Sequence, residues 1–265
     1  MFSMTDPGTV RGHNEDAVIA DADLGFAVLA DGMGGYNAGE VASGIAVNLV
    51  ADGLRQALAK GDIDPAGKGA APGELLRGQV LDANGAIFQA AQSQPQYAGM
   101  GTTLVGALFY DNRICVAHVG DARLYRLRGE NLTQMTRDHS LLQEQIDSGM
   151  ISPAEARFSS NRNLVTRALG VDPTVEVDIG VSEALPGDVY LFCSDGLNDM
   201  VEDEDIRLAL DMLSANLPLA GRQLIQMAND NGGRDNVSVI LVRVLHPFPV
   251  KRGWIYRLGA WLGAM

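Results

Sequence analysis

Four short motifs containing acidic residues lie far apart along this chain. They are Arg11-Gly12-His13-Asn14-Glu15-Asp16, Ala30-Asp31-Gly32-Met33-Gly34-Gly35, Ser194-Asp195-Gly196 and Arg234-Asp235-Asn236. Three of them place an aspartate beside glycine or asparagine, directly before or after an apolar run. A strand end presents a carboxylate on a tight loop in this way. Carboxylates gathered at neighbouring strand ends repel one another, and a divalent cation removes that conflict. Such hard oxygen ligands favour magnesium or manganese over zinc or copper.

Hydrophobic periodicity predicts the elements that position these motifs. Residues 24–30 and 189–193 are apolar runs that predict buried strands, each leading to an Asp-Gly pair. Other strand-like runs are 104–110, 113–119, 122–128 and 238–244, and helical patterns cover 38–60, a stretch around 76–90, about 203–214 and about 218–230. Asp111-Asn112 is a two-residue link that suits a hairpin. Strands and helices come in blocks, which predicts an α+β fold of antiparallel sheets with helices packed outside.

Composition limits the classes of function. The chain has 265 residues, 46% apolar and 20% charged, which suffices for one large domain. Its formal net charge of −13 would repel a phosphate backbone, so we expect no nucleic-acid partner. It has no run of eighteen apolar residues, so we expect no transmembrane segment, and its N-terminus predicts no secretory signal.

The two cysteines, Cys115 and Cys193, both lie in apolar strand-like runs. Pairing is possible, but buried free thiols in a reducing compartment are the preferred interpretation. The expected location is therefore the cytoplasm.

The C-terminal tail, residues 247–265, differs from the rest of the chain. It contains three basic residues and no acidic one, and Trp254, Leu258 and Trp261 fall at helical spacing. Such a segment could contact a membrane surface or a partner protein. The alternative is a helix packed on the body or a frayed end.

In their order and spacing, the four motifs resemble the metal-dependent (type 2C) family of serine/threonine protein phosphatases, in its bacterial form. The resemblance runs from Thr9 to about Val244 and includes segments 101–103, 119–123, 138–140 and 166–170. It implies two antiparallel sheets packed face to face as a sandwich, with helices on both faces. It also implies a catalytic domain over 1–246, with a mobile, substrate-selecting flap at about 138–168.

The resemblance implies a centre of two or three Mn2+ or Mg2+ ions. Asp31 would bridge two ions, and Gly32 would ligate one of them through its carbonyl, which glycine's small size permits. Asp195 and Asp235 would hold the other ion. Asp121, with Asp195, would match an extra metal position of bacterial members.

The remaining site residues are also implied by the resemblance. Glu15 and Asp16 would orient metal-bound waters, and Arg11 would bind the phosphate with its planar fork. Arg11, together with Asp31, Asp195 and Asp235, forms the implied catalytic set.

The implied reaction is hydrolysis of phosphoserine or phosphothreonine in proteins, opposing a cognate serine/threonine kinase. A hydroxide that bridges two ions would attack phosphorus directly, without a covalent enzyme intermediate. Animal members carry a histidine where this chain has Met33. A metal-bound water is therefore the first candidate for the general acid, and His13 is the second.

Several alternatives follow from the same residues. Each Asp-Gly pair alone is more often a structural turn, and Asp138-His139-Ser140 predicts a helix start capped by Asp138.

A cysteine phosphatase needs arginine six positions after the cysteine, where Asp121 and Asp199 stand. Segment 61–69 does not match a nucleotide phosphate loop, and Asp21-Ala22-Asp23 lacks the downstream residues of an aspartyl-phosphate hydrolase. A binding scaffold without catalysis, or a subunit joined to an assembly through its tail, remains the alternative.

Overall fold

Two antiparallel β-sheets face each other in the computed structural model, which describes residues 1–35, 38–60, 71–152, 155 and 164–249. The first sheet has five strands. In spatial order they are β1 (Phe2–Asp6), β11 (Val237–Arg243), β10 (Val189–Cys193), β7 (Arg123–Arg128) and β8 (Asn131–Gln134). The first and the last strand of the described residues therefore pair with each other at one edge of this sheet.

The second sheet has six strands. Five run in the order β2 (Asp16–Asp21), β3 (Phe26–Met33), β5 (Leu104–Tyr110), β6 (Arg113–Val119) and β9 (Asp178–Glu183), while the short β4 (Gly101–Thr102) pairs with the end of β3.

Helices cover the outer face of each sheet. The helices of the described residues are α1 (Ala38–Lys60), α2 (Pro72–Ser93), α3 (Leu141–Asp147), α4 (Asp195–Asn198), α5 (Asp203–Leu213) and α6 (Leu217–Asp230), with a 3-10 turn at Pro95–Tyr97. Helices α1 and α2 pack on the second sheet, and α5 and α6 pack on the first. Among the described residues, none of the helices has the length and apolar character that a membrane crossing requires.

The core has three layers, one between the two sheets and one between each sheet and its helices, and strand β3 contributes to two of them. Its residues Phe26, Val28 and Ala30 point towards α1 and α2, whereas Ala27 and Leu29 point into the layer between the sheets. Because both faces are buried, the strand reads as a continuous apolar run instead of an alternating one. The predicted α+β sandwich with helices on both faces is confirmed.

The predicted hairpin between β5 and β6 is also confirmed. Tyr110 and Arg113 are cross-strand partners, so Asp111 and Asn112 form the two-residue turn. Their φ angles are 51° and 59°, as in a type I′ turn, which Asp and Asn tolerate better than other non-glycine residues.

Several local predictions were wrong. Strand β3 continues past Ala30 to Met33, because Gly32 and Met33 pair with β4. Helix α2 begins at Pro72, within the predicted loop 61–73. Ser140, not Asp138, caps α3: its hydroxyl accepts a hydrogen bond from the Gln143 N–H at 3.2 Å. Asp138 instead pairs with Arg123.

Strands β1, β2, β8 and β9 were not predicted. They are short or lie at a sheet edge, and β1, β8 and β9 consist of exposed and partly buried positions without a strongly apolar face. Several predictions fall wholly or partly outside the described residues. They are most of the predicted loop 61–73, the predicted loop 159–163, about a third of the 138–168 segment and nearly all of the 247–265 tail. Cys115 and Cys193 are buried and free, as preferred from the sequence.

Candidate metal centre

The backbone of two adjacent strands brings the first two motifs together. Asp16 and Asp31 are cross-strand partners in the β2–β3 pair, and the Gly32 N–H donates to the Glu15 carbonyl at 3.1 Å. The Thr103 N–H and the Thr102 hydroxyl both donate to the Asp31 carbonyl at 2.8 Å. Segment 101–103 therefore fixes the backbone of Asp31, while its carboxylate stays available.

The other two motifs come from the facing sheet. Asp195 begins α4 directly after β10, and Asp235 lies just before β11, the neighbour of β10. The Ser194 hydroxyl donates to Asp16 Oδ2 at 2.8 Å and so joins the two sheets at this end of the sandwich.

Asn236 ties the first motif to the last. Its Oδ1 accepts from the Glu15 N–H at 2.8 Å, and its amide donates to the carbonyls of Pro7 and His13 at 3.0 and 2.8 Å. Both polar groups of the Asn236 side chain, the carbonyl oxygen and the amide nitrogen, therefore bind protein backbone. The asparagine beside Asp235 holds the loop that carries Arg11 and Glu15.

The carboxylates of the four motifs influence one another's pKa values. Burial raises the pKa of Asp31 well above its ordinary value, and the charges of Asp16, Asp195, Asp121 and Asp235 raise it further. Burial also raises the pKa of Asp195 well above its ordinary value, followed by the charges of Asp121 and Asp199. Both side chains nevertheless keep part of their surface in solvent. The site is therefore a cluster of largely buried carboxylates that solvent can still reach.

Three further acidic residues belong to this group. Burial raises the pKa of Asp16 to about 6 and that of Asp121 to about 7, and it also raises the pKa of Glu15. Asp121 follows β6 and is also affected by the charge of Asp138. Among the described residues, Asp16 Oδ1 is buried without a hydrogen-bond partner. Burial is the first cause of each raised pKa, because it disfavours the charged carboxylate, and the charges of neighbouring acidic residues add to it.

Arg11 supplies the positive charge at the rim. Its Nη2 lies 2.6 Å from Asp235 Oδ2, and about half of its side chain is exposed. The charge of Asp235 raises the pKa of the Arg11 guanidinium. The other Asp235 oxygen, Oδ1, accepts from the Asn236 N–H at 2.9 Å. Both oxygens of the Asp235 carboxylate therefore have hydrogen-bond partners.

The residues fit a hard divalent cation. Their donors are carboxylate oxygens and a backbone carbonyl, and positive charge would offset their repulsion. At Gly32 a Cβ would collide with the carbonyl oxygens of Gly39 and Glu15, so only glycine permits this backbone approach. Within the described ranges, no three His, Cys, Asp or Glu side chains already form a ligand set.

The structure also places residues whose roles the sequence did not predict. Ser194 and Asn236 lie inside the recognised motifs, but their hydrogen bonds depend on contacts between the sheets. His139, interpreted as structural, is buried and contacts Gly120, the residue before Asp121. His13 is exposed, and Met33 lies partly buried at the end of β3.

Comparisons with known proteins agree with this geometry. The family profile described as protein phosphatase 2C matches residues 11–239. The chain is 42% identical over 244 residues to the serine/threonine protein phosphatase PstP of Mycobacterium tuberculosis, covering 91% of this chain and 44% of PstP. It is 38% identical over 246 residues to the serine/threonine phosphatase stp of Listeria welshimeri, covering 90% of this chain and 93% of that protein. The chain therefore spans less than half of PstP and nearly all of stp.

Solved structures extend the similarity to three dimensions. A crystal structure of M. tuberculosis PstP/Ppp has a TM-score of 0.83 at 39% identity, covering 92% of this chain and 98% of that one. A structure of the PstP catalytic domain with two manganese ions has a TM-score of 0.79 at 40% identity, covering 92% and 97%. With the profile match over most of its length and these relatives, the chain belongs to the protein phosphatase 2C family.

Proposed function

We propose that this protein is a metal-dependent serine/threonine protein phosphatase whose active site is the carboxylate cluster at one end of the sandwich. The observation that carries the proposal is the set of desolvated carboxylates, with Asp31 and Asp195 at its centre and an arginine at its rim. Such a set is unfavourable by itself and becomes favourable around divalent cations. The two manganese ions of the PstP catalytic domain support the same conclusion.

Five residues would hold the ions in this proposal. Asp31 and the Gly32 carbonyl lie on the second sheet, Asp195 and Asp235 lie on the first, and Asp121 lies beside Asp195 for an additional ion. Glu15 and Asp16 flank them, and the carboxylate of Asp16 is oriented by the Ser194 hydroxyl. Divalent ions bound there supply an activated water for attack on phosphorus and offset charge on the phosphoryl oxygens.

Arg11 has a role that requires exchange of partners. Its guanidinium now pairs with Asp235, and its exposure leaves it free to turn towards a phosphate. A phosphate monoester presents two oxygens to the planar fork, which makes it a stronger partner than one carboxylate oxygen. Phosphate binding would then release Asp235 to join the other carboxylates.

The leaving serine or threonine oxygen needs a proton. Met33 cannot donate one, because a thioether has no ionisable hydrogen. A water molecule in the open site is the first candidate donor, and the exposed His13 is the second. No protein nucleophile is needed, which agrees with the raised pKa of both thiols, Cys115 to about 11 and Cys193 to about 12, caused by burial.

The proposal includes the cellular setting. Phosphoserine and phosphothreonine in proteins are made by kinases, so the enzyme would oppose a serine/threonine kinase. Two buried, unpaired cysteines support a reducing compartment, the cytoplasm. A phosphatase domain over 1–246, a flap at about 138–168 and a tail over 247–265 that contacts a partner or a membrane surface stay predictions.

Hydrolysis of p-nitrophenyl phosphate and of a phosphothreonine peptide, with Mn2+ and with a chelator, tests this function. We expect turnover that depends on Mn2+ and that Asp195→Asn removes. A folded protein that hydrolyses neither substrate at any Mn2+ concentration would instead be a binding scaffold.

A further inference from the structure

An exposed valine lies on a firmly held segment beside the metal centre. Val171 has 55% of its surface exposed, although the residues on both sides of it are fixed. The Gly170 N–H donates to Asn84 Oδ1 at 2.8 Å, and Asn84 Nδ2 donates to the Asp172 carbonyl at 3.2 Å. Asn84 is a buried residue of α2, so its two polar groups fix the backbone before and after Val171.

Two further contacts hold this segment against the body. Leu169 is completely buried and forms an isolated antiparallel bridge with Thr102, with hydrogen bonds of 2.8 and 3.1 Å in the two directions. Gly170 has a φ of 83°, and a Cβ there would collide with the side chain of Ile87 on α2. The backbone of Val171 therefore has little freedom, which distinguishes this residue from an apolar side chain at a mobile loop tip.

The Val171 side chain lies on the same face of the second sheet as the carboxylate of Asp31. Asp31 and Met33 follow Leu29 at alternate positions of β3, so they point towards the layer between the sheets, as Leu29 does. Gly101 is the cross-strand partner of Met33, so a side chain at Gly101 would point to that face too. A Cβ there would lie 3.1 Å from Val171 Cγ2 and 3.6 Å from Met33 Cγ.

Met33, Gly101 and Val171 therefore form a small apolar shelf, in which two apolar side chains lie next to a glycine that has none. Met33 is partly exposed. Two residues of a strand span about 6.6 Å, which separates Met33 from Asp31 along β3. In an extended peptide, side chains that point the same way are also two residues apart. A substrate whose phosphate lies at the metal centre would thus bring the side chain two positions from its phosphorylated residue to the apolar shelf.

We propose that the apolar shelf is a substrate subsite, which accepts an aliphatic side chain two positions before or after the phosphoserine or phosphothreonine. Val171 and Met33 determine this specificity, and Asn84 is a positioning residue that acts through the backbone of Gly170 and Asp172. An aliphatic side chain gains free energy there because it covers exposed apolar surface, whereas a polar side chain gains little. This inference rests on the proposed phosphatase site.

Three phosphothreonine peptides test the subsite. One carries leucine at the second position before the phosphothreonine, another carries leucine at the second position after it, and the reference peptide carries serine at both positions. With Mn2+, the wild-type protein should hydrolyse one leucine peptide with a kcat/KM about fivefold or more above that of the reference, because part of the leucine side chain leaves water.

Val171→Ser should reduce this preference to about twofold or less. The change should appear mainly in KM, because a contact remote from phosphorus stabilises the bound substrate and the transition state equally. Val181→Ser is the matched control, since Val181 is also an exposed valine, 57% exposed, but lies on the edge strand β9. It should keep the wild-type preference.

Asn84→Ala tests the positioning role. This variant retains Val171, but the segment loses both hydrogen bonds to α2, so the preference should fall towards that of Val171→Ser. Val80→Ala is the control on the same helix, because it removes buried apolar volume and no hydrogen bond. It should keep the preference even where its Tm falls as far as that of Asn84→Ala, and a wild-type preference in Asn84→Ala would overturn the positioning role.

Equal kcat/KM for all three peptides in the wild type, or an unchanged preference in Val171→Ser, would overturn the subsite. Failure of the proposed function looks different. In that case neither the peptides nor p-nitrophenyl phosphate release phosphate at any Mn2+ concentration, and Asp195→Asn does not differ from the wild type.

Discussion

Arg11 and Asp235 form an ion pair of 2.6 Å that joins residues 224 positions apart in the sequence. Each partner belongs to a different motif, and each has a second role in the proposed site: Arg11 for phosphate, Asp235 for metal. The pair is partly exposed, so its contribution to folding stability is small, about 1 kcal/mol or less. In the proposed site, the two groups would separate when phosphate and metal bind.

Replacing Arg11 tests this exchange. Arg11→Ala should raise KM for p-nitrophenyl phosphate by about tenfold or more, because a charged hydrogen-bond donor contributes about 1.5–3 kcal/mol. Mn2+ affinity without substrate should not fall, since Asp235 loses a competing partner. Arg11→Lys keeps the positive charge but lacks the planar guanidinium, so its KM should lie between those of the wild type and Arg11→Ala. Steady-state kinetics and calorimetry measure both quantities, and an unchanged KM would remove Arg11 from the substrate site.

Asp195→Asn should have opposite effects on function and on stability. It should abolish most turnover and weaken Mn2+ binding, since a carboxylate ligand is lost. In the presence of a chelator, however, its Tm should rise by about 3 °C, which corresponds to about 1 kcal/mol in a domain of this size, because one of several neighbouring negative charges is removed. Thermal unfolding with and without Mn2+ measures this. The exposed Asp211→Asn on α5 is the control and should change neither Tm nor turnover.

Gly32→Ala should disrupt the centre through the backbone. The added Cβ meets the carbonyl oxygens of Gly39 and Glu15, which are main-chain atoms that cannot rotate away. We expect a loss of about 2 kcal/mol or more in the free energy of unfolding, together with lost Mn2+ binding. Gly44→Ala inside α1 meets open space and should stabilise the protein by up to about 1 kcal/mol. Urea unfolding of both variants checks the contrast, and equal effects would contradict it.

His118 should make the protein sensitive to acid. Burial, and then the charge of His139, lower its pKa to about 3; Asp178 opposes this shift and Arg167 adds to it. The folded state therefore keeps His118 neutral, while the unfolded state protonates it near pH 6.5. The contribution of neutral His118 to the free energy of unfolding is therefore fully present above pH 6.5. It is lost as pH falls from 6.5 towards 3, because only the unfolded state then takes up the proton.

The comparison of wild type with His118→Phe isolates this effect from the carboxylates. Between pH 7.5 and 5.5, the difference in free energy of unfolding should change by about 1.4 kcal/mol in favour of the variant. Urea unfolding at the two pH values measures it. A difference that does not change with pH would show that His118 is already hydrated or charged in the folded protein.

The sequence by itself determined the strands and helices with strong periodicity, because a period of 2 or 3.6 residues is a local property. Helix α1 has the bounds that its apolar spacing predicts, and the turn at Asp111-Asn112 follows from residue type and spacing. The Asp-Gly pairs also identified candidate metal ligands, since a carboxylate at a strand end is visible in the chain itself.

Only the tertiary structure decided which of these residues meet. Strand β1 exists because β11 pairs with it from the other end of the chain, and Ser140 caps α3 because Arg123 already binds Asp138. The Ser194–Asp16 and His139–Gly120 hydrogen bonds likewise join distant segments. Such contacts depend on sheet register and on the packing of two sheets, and no pattern within a short window of sequence specifies either.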